Sequence, residues 1–271
     1  MERITPQPYT KDCNEVRTAL AKLRLSLKAG DSELSARSDS DFLLRFLRCT
    51  ELDAESAQAR IQKYYKVKSS CHKVFKDLIP SDEMKTDGRK LAVVLPNKDA
   101  HGRPMLLIKL GAWDPASLPQ FRFQRAVNVW LEQLTRDPAS QAVGICVLLD
   151  FGGWSASKIL ACELGLVKQA IRFLQDVLPL RITKVHVVKQ PKTFNMFFSL
   201  LKPFLSKDEL SRFQLHGECF EKLRTEVSEN HLPSEYGGTA PSLDFDGIWE
   251  RLREEDGEFR ENNIYGYHHK S

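Results

Sequence analysis

The spacing of apolar residues divides the chain into regions of different character. In residues 41–48 the apolar side chains fall at i, i+1, i+4 and i+5, which is the stripe of an amphipathic helix. A second helical pattern runs from about residue 54 to 68, and no strand-like run occurs before about residue 80. We therefore predict a helical N-terminal lobe over residues 1–80.

From about residue 88 the pattern changes to short runs rich in Val, Ile and Leu, at 91–95, 105–110, 145–149 and 185–188. A turn-like segment, 97–102, joins the first two runs, and helices predicted over 119–136 and 156–178 are long enough to connect parallel strands. The order predicts an α/β fold for residues 81–240, a mixed sheet with flanking helices. Residues 241–271 mix charges of both signs and predict a solvated helix with a loose end.

Two predicted helices, over residues 156–178 and 193–205, carry more apolar residues than packing on one sheet face requires. Residues 193–205 hold eight large apolar side chains in thirteen, and a capping box at Ser206 to Glu209 opens the next helix. Such helices are either thickly buried core or the lining of a cavity. Asn128, within an apolar helical stretch, is either a polar position of that cavity or a solvent-facing side chain.

Composition narrows the functional classes. The 271 residues are 42% hydrophobic and 28% charged, with a net charge of +4, which excludes a disordered chain and disfavours a nucleic-acid partner. The six cysteines lack metal-ligand spacing, and the N-terminus lacks a signal-peptide pattern. We expect a cytoplasmic monomer with reduced thiols, no metal and no cofactor.

Motifs for covalent chemistry are incomplete. Residues 153–157 resemble a nucleophile elbow, but Ser157 occupies the position where the motif requires glycine. His186, His216 and His231 follow, yet none can be placed in a triad with Ser155. We expect no catalytic residues and no enzyme activity; a serine hydrolase acting through Ser155 is the weakest of three hypotheses.

Several motifs, taken together, resemble the CRAL-TRIO family. They are residues 41–48, 99–104 and 144–154, Phe194-Asn195 with 202–205, 215–217 and 232–238, in this order over most of the chain. The sequence is most similar to the branch that contains α-tocopherol transfer protein and cellular retinaldehyde-binding protein. The resemblance implies a helical lobe followed by a β-α-β lobe whose sheet forms the floor of an apolar lipid pocket.

The resemblance also implies site residues and a function. The ligand-binding residues would be Val127, Trp130, Leu131, Phe173, Leu174, Leu178, Leu180 and Val185. The helix matching residues 193–205 would be a mobile gate, with Phe194, Phe197, Phe198 and Leu201 sealing the pocket and entering a membrane when it opens. The expected function is to bind a tocopherol-, retinoid-, carotenoid- or other isoprenoid-like lipid and transfer it between membranes. Val127 and Leu131 replace small hydroxylated residues of the tocopherol branch, which disfavours tocopherol itself.

An alternative function follows from basic residues at or next to the positions that match a phosphoinositide site in the tocopherol branch of the family. These are Arg181, Lys184, Lys207 and Arg212. Each cation close to an anionic bilayer contributes about 1 kcal/mol of attraction. The alternative is a phosphoinositide-binding adaptor in membrane traffic; both functions imply transient contact with membranes, endosomal ones included.

Overall fold

The computed structural model describes residues 12–267. The helices are α1 (Cys13–Ala29), α2 (Ser40–Cys49), α3 (Ala54–Ser70), α4 (His72–Phe75), α5 (Pro80–Glu83), α6 (Gln120–Arg136), α7 (Pro138–Val143), α8 (Ala156–Ala161), α9 (Leu164–Arg172), α10 (Thr193–Leu201), α11 (Lys207–Ser211), α12 (Glu221–Glu226), α13 (Phe245–Arg253) and α14 (Asp256–Asn262). The strands are β1 (Leu34–Ser35), β2 (Ala92–Val94), β3 (Met105–Ile108), β4 (Ile145–Asp150), β5 (Ile182–Val188), β6 (Phe213–Gly217) and β7 (Gly266–Tyr267).

The first three helices form the predicted helical unit around buried aromatic rings. Asp39 and Asp53 cap α2 and α3 by accepting hydrogen bonds from backbone N–H groups of the first turn. Phe42 packs on Phe46 with ring centroids 5.1 Å apart, and Phe46 packs edge-on against Tyr64 of α3 at 5.7 Å. The predicted domain boundaries near residues 80 and 240 remain predictions.

The five-stranded sheet has the order β2-β3-β4-β5-β6. β2 and β3 are antiparallel, and the other pairs are parallel, so the predicted mixed α/β sheet is confirmed. Asp99 holds the β2–β3 turn together, because its carboxylate accepts hydrogen bonds from the backbone of His101 and Arg103. Strand β6 was not predicted; its exposed positions, including Leu215 at the sheet edge, weaken the apolar pattern.

The prediction of one continuous helix over 156–178 is wrong. The chain leaves helical geometry at Cys162 and Glu163, and a π-helical segment, Phe173–Val177, follows α9. The side chain of Gln120 stabilises the break, since it bonds both the N–H and the carbonyl of Glu163. The wide apolar arc therefore belongs to separate elements that present different faces.

The prediction of a solvated C-terminal helix is also wrong. Trp249 of α13 is fully buried, its indole N–H donates to the carbonyl of Ala92, and its ring lies 5.3 Å from that of Trp130. β7 pairs with β1, and Phe259 of α14 is buried. The mixed charges lie on the outer faces of helices whose inner faces complete the core; residues 268–271 lie outside the described part. Within residues 12–267, no helix has the length and apolarity needed to cross a bilayer.

Candidate ligand-binding cavity

A cavity of about 740 Å³ lies between one face of the sheet and the helices that cover it. Alternation along the strands sends every second side chain to this face. The sheet contributes Leu106, Ile108, Val147, Leu149 and Val185. The helices and the π-helical segment contribute Phe123, Val127, Leu131, Val167, Ala170, Ile171, Phe173 and Leu174. The side chains at the centre of the fold therefore surround a space instead of filling it.

Helix α10 covers the cavity and presents two different faces. Its inner residues Phe194, Phe197, Phe198 and Leu201 all line the cavity. Phe194 stacks edge-on against Phe151 at 4.8 Å between centroids, and Phe197 lies 4.9 Å from Trp154. The outer face leaves Met196 54% and Leu200 44% exposed. The four residues predicted to enter a membrane thus face inward here, and two apolar residues that the sequence analysis did not select face solvent.

The loop after β4 positions Trp154 beneath this helix. The backbone N–H of Gly152 donates to Asp150, and the ammonium of Lys158 donates to the carbonyl of Gly111. Gly111 approaches so closely that a Cβ there would lie 2.2 Å from the carbonyl oxygen of Gly152. Only a glycine at position 111 permits this contact, which holds the segment after β3 against the loop that carries Trp154.

The cavity is polar and basic near the amino ends of β4 and β5, where Arg48 bonds Gln141, Arg181 bonds Ala142 and Arg212 bonds Ile182. Its charged lining residues are Arg45, Arg48, Arg60, Arg181 and Arg212, with Glu51 and Glu209. Several of these arginines already bond to the protein backbone. Arg60 donates to the carbonyl of Leu178 at 2.8 Å, and Arg212 donates to that of Ile182 at 2.8 Å. The cavity is thus amphipathic, apolar beneath α10 and cationic near the amino ends of β4 and β5.

Burial shapes the titration of one thiol along the wall. Desolvation raises the pKa of Cys162 to about 11. This thiol is therefore protonated at neutral pH and behaves as a small apolar side chain.

Six of the eight residues predicted to bind ligand lie on the cavity, and two do not. Those on it are Val127, Leu131, Phe173, Leu174, Leu180 and Val185. Trp130 does not line the cavity, because its indole N–H donates to the carbonyl of Ala92 and its ring packs on Trp249. Leu178 does not line it either, since its side chain is buried in the core outside the lining. For the six residues on the cavity, a role in ligand binding stays a prediction.

The four predicted phosphoinositide residues are not brought together. Arg181 and Arg212 lie at the cationic end of the cavity. Lys184 faces the other side of the sheet, where its ammonium lies 3.2 Å from a carboxylate oxygen of Glu226. Lys207 is exposed on α11 and does not line the cavity. Only two of the four could therefore contact one headgroup at the cavity.

The serine and histidines considered for catalysis lie apart. The hydroxyl of Ser155 lies 2.8 Å from that of Ser157. His186 and His216 share a 2.9 Å hydrogen bond on the sheet face away from the cavity, and burial lowers the pKa of His186 to about 4. The triad required by the hydrolase hypothesis is not assembled. Within residues 12–267, no three His, Cys, Asp or Glu side chains are grouped as a metal site.

Sequence reasoning missed most of the cavity's floor and its polar end. Leu106 and Ile108, like Val147 and Leu149, are spaced two apart, so strand alternation could have placed them on one face. Arg45 and Arg48 of α2 could not be predicted in this way. They lie off the apolar stripe of the helix, and this position predicts side chains that face solvent.

Comparisons with known proteins agree with this architecture. A model of the CRAL/TRIO domain matches residues 88–238. The chain is 38% identical over 211 residues to "Alpha-tocopherol transfer protein-like" of Mus musculus, an alignment covering 78% of this chain and 62% of that protein. It is 33% identical over 221 residues to Clavesin-1 of Rattus norvegicus, covering 79% of this chain and 61% of that one. The chain thus spans about three fifths of these relatives' lengths.

A solved structure shares the fold. The crystal structure of Sfh5 superposes with a TM-score of 0.56 and 13% identity, covering 89% of this chain and 92% of that chain. The family model, which matches more than half of the chain, together with the mixed sheet beneath an apolar cavity, shows that this chain belongs to the CRAL/TRIO domain family.

Proposed function

We propose that this protein binds one hydrophobic small molecule of isoprenoid type in its cavity and transfers it between membranes, with α10 acting as a mobile gate. The cavity beneath α10 carries this proposal. Its volume of about 740 Å³ lies within the range of small-molecule sites, and its lining is largely aliphatic and aromatic. Binding and release involve no covalent step.

The size of the apolar lining is sufficient for tight binding. A ligand that buries roughly 500 Å² of apolar surface gains about 12 kcal/mol before the cost of association, at roughly 25 cal/mol per Å². So tight a complex dissociates slowly in water. Release at a membrane is faster if the bilayer contacts the gate and stabilises its open state.

The apolar surface around the gate supports membrane contact. Four large apolar side chains on α8, α9 and α10 are exposed to solvent: Leu160 at 88%, Leu164 at 45%, Met196 at 54% and Leu200 at 44%. α8 and α10 are linked through Trp154, which lies two residues before α8 and whose ring contacts Phe197 of α10. We propose a cytoplasmic protein whose gate surface touches membranes transiently.

Replacing the outer gate residues with acids should slow transfer. Met196→Asp with Leu200→Asp removes two side chains, each contributing roughly 1.5 kcal/mol or more when buried at an interface. We expect retinol transfer between donor and acceptor vesicles to slow by about tenfold or more, with equilibrium affinity in solution changed less than about threefold. The measurement is vesicle-to-vesicle transfer followed by retinol fluorescence.

The matched control replaces exposed apolar residues outside the gate. Leu25 and Ile264 are 69% and 70% exposed, so Leu25→Asp with Ile264→Asp makes the same chemical change. This control should transfer retinol at the wild-type rate. Equal slowing by both pairs, or none by the gate pair, would contradict the gate assignment.

The arginines at the polar end favour a second function, that of a phosphoinositide-binding adaptor. Five arginines and two glutamates line this end, and Glu132 and Asp208 pair with Arg45 and Arg212. The positive charge that remains attracts anionic headgroups. For the adaptor function, vesicle flotation should depend on phosphoinositide, and Arg181→Ala with Arg212→Ala should abolish it. Arg251→Ala, which removes an exposed cation of α13 away from the cavity, is the control. If the fraction of protein that floats with vesicles did not depend on phosphoinositide, the adaptor function would be rejected.

A further inference from the structure

Helices α6 and α9 form one wall of the cavity and run side by side in the same direction. Gln120 of α6 bonds the backbone of Glu163, immediately before α9. One turn later, the side-chain amide of Gln124 donates to the carbonyl of Leu166 at 3.1 Å. Four residues along α6 thus correspond to three along α9. Continued by one turn, this spacing places Asn128 level with Gln169.

The pattern of amide bonding stops at this turn. Asn128 lines the cavity and is half-buried, but its side chain has no hydrogen-bond partner within residues 12–267. Gln169 of α9 also lines the cavity, is half-buried and has no side-chain partner in the same described region. Two unpaired amides therefore lie on the wall where the preceding two turns are closed by glutamine bonds.

Their surroundings select a neutral polar group. Val127 and Leu131 flank Asn128 on the cavity face of α6, and Ala170 adjoins Gln169 on α9. A carboxylate here could accept from the amide NH2 groups but would leave both amide carbonyls unpaired. It would also lose its hydration, and no cation lies among the α6 and α9 residues that line the cavity. A hydroxyl both donates and accepts, so it can bond an amide carbonyl and an amide N–H together.

We propose that Asn128 and Gln169 bind the hydroxyl group of the ligand, so that the cavity selects apolar alcohols over hydrocarbons and carboxylic acids of the same skeleton. This inference rests on the proposed function and names its ligand class. The amides fix which end of the molecule lies against α6 and α9. The apolar skeleton then extends beneath α10.

Three probes with one branched C20 skeleton test this selection: phytol, phytane and phytanic acid. Dissociation constants are measured in the full chain by the displacement of bound retinol, followed through retinol fluorescence. We expect wild-type protein to bind phytol about three- to tenfold tighter than phytane, the net effect of a hydrogen bond in a buried site. Phytanic acid should bind more weakly than phytol.

Variants assign the preference to the amides. Asn128→Leu should weaken phytol binding about three- to tenfold and leave phytane binding unchanged or slightly tighter. Gln169→Leu tests the second amide in the same way. Retained phytane binding shows that each variant is folded. Gln133→Leu removes an amide from α6 outside the cavity and should change neither constant.

The outcomes separate this inference from the function on which it rests. Equal binding of phytol and phytane by wild-type protein, or equal losses for both in Asn128→Leu, overturns the hydroxyl site while leaving the cavity function standing. Tightest binding of phytanic acid also overturns it, and assigns the polar group to the arginine end. Failure of wild-type protein to bind either neutral probe overturns both proposals.

Discussion

Filling the cavity from two walls is expected to abolish ligand binding without unfolding the protein. Val127→Trp on α6 and Ala170→Trp on α9 place two indole rings in the space that a ligand would occupy. Retinol affinity should fall by about 100-fold or more, equivalent to about 3 kcal/mol. Because the rings enter an existing void, the cost of overpacking should stay near the lower end of the usual ~1–3 kcal/mol. Retinol titration and thermal unfolding measure the two effects.

A matched control distinguishes occlusion from a general effect of tryptophan. Arg172→Trp adds an indole to an exposed position of α9 that does not line the cavity. Its retinol affinity should equal that of wild-type protein. If the cavity-filling pair bound retinol normally, the ligand would lie elsewhere and the cavity would have no part in binding.

The second large effect concerns Glu132, a buried carboxylate behind the cavity wall. One oxygen accepts a 2.9 Å hydrogen bond from the hydroxyl of Tyr64, and the other accepts a 3.1 Å bond from the amide of Asn262. Arg45 lies 3.6 Å away and is itself 5% exposed. The residue thus connects α6 with helices from both ends of the chain.

Glu132→Gln is expected to destabilise the protein by about 3–5 kcal/mol, because it leaves the buried arginine without its counter-charge. Burial disfavours the carboxylate, but Lys68, Arg136 and Arg45 outweigh it and lower its pKa below 4.5. A lowered pKa gives stability that is present above the unfolded value and lost as the pH falls through the folded value. Wild-type protein should therefore lose this contribution below about pH 4.5, whereas the variant lacks it at every pH.

Urea denaturation at pH 7 and at pH 4 measures both effects. Tyr64→Phe is the control, since it keeps the charge and removes only the hydrogen bonds of the hydroxyl with Glu132, Lys68 and Asn262. It should cost about 1–3 kcal/mol, less than Glu132→Gln. A loss of under 1 kcal/mol in Glu132→Gln at pH 7 would show that the charge network is not needed to hold the three helices together.

The mixed sheet could be predicted because strands that are buried on both faces appear in the sequence as continuous runs of Val, Ile and Leu. The hairpin turn at Asp99 and the capping box at Ser206 were equally local signals. The break between α8 and α9 at Cys162 could not be predicted from the sequence, because it depends on the side chain of Gln120, more than forty residues away. Local periodicity cannot report a bond of that range.

The site was partly predictable for the same reason. Apolar surplus on the helices indicated a cavity, and the predicted lining residues Val127, Leu131 and Val185 lie on it. Trp130 lies on the same helix but packs on Trp249, over a hundred residues away, and Arg45 lines the cavity because of its contact with Thr135. Which face of a helix meets a void and which meets another helix is decided by packing that connects distant segments.

Whether the cavity holds a ligand is decided by native mass spectrometry after incubation with vesicles that contain an isoprenoid alcohol. Wild-type protein and Arg172→Trp should each carry one alcohol molecule per chain, and Val127→Trp with Ala170→Trp should carry none. An uncomplexed wild-type protein, or the same complex in the cavity-filling pair, would contradict the proposed function.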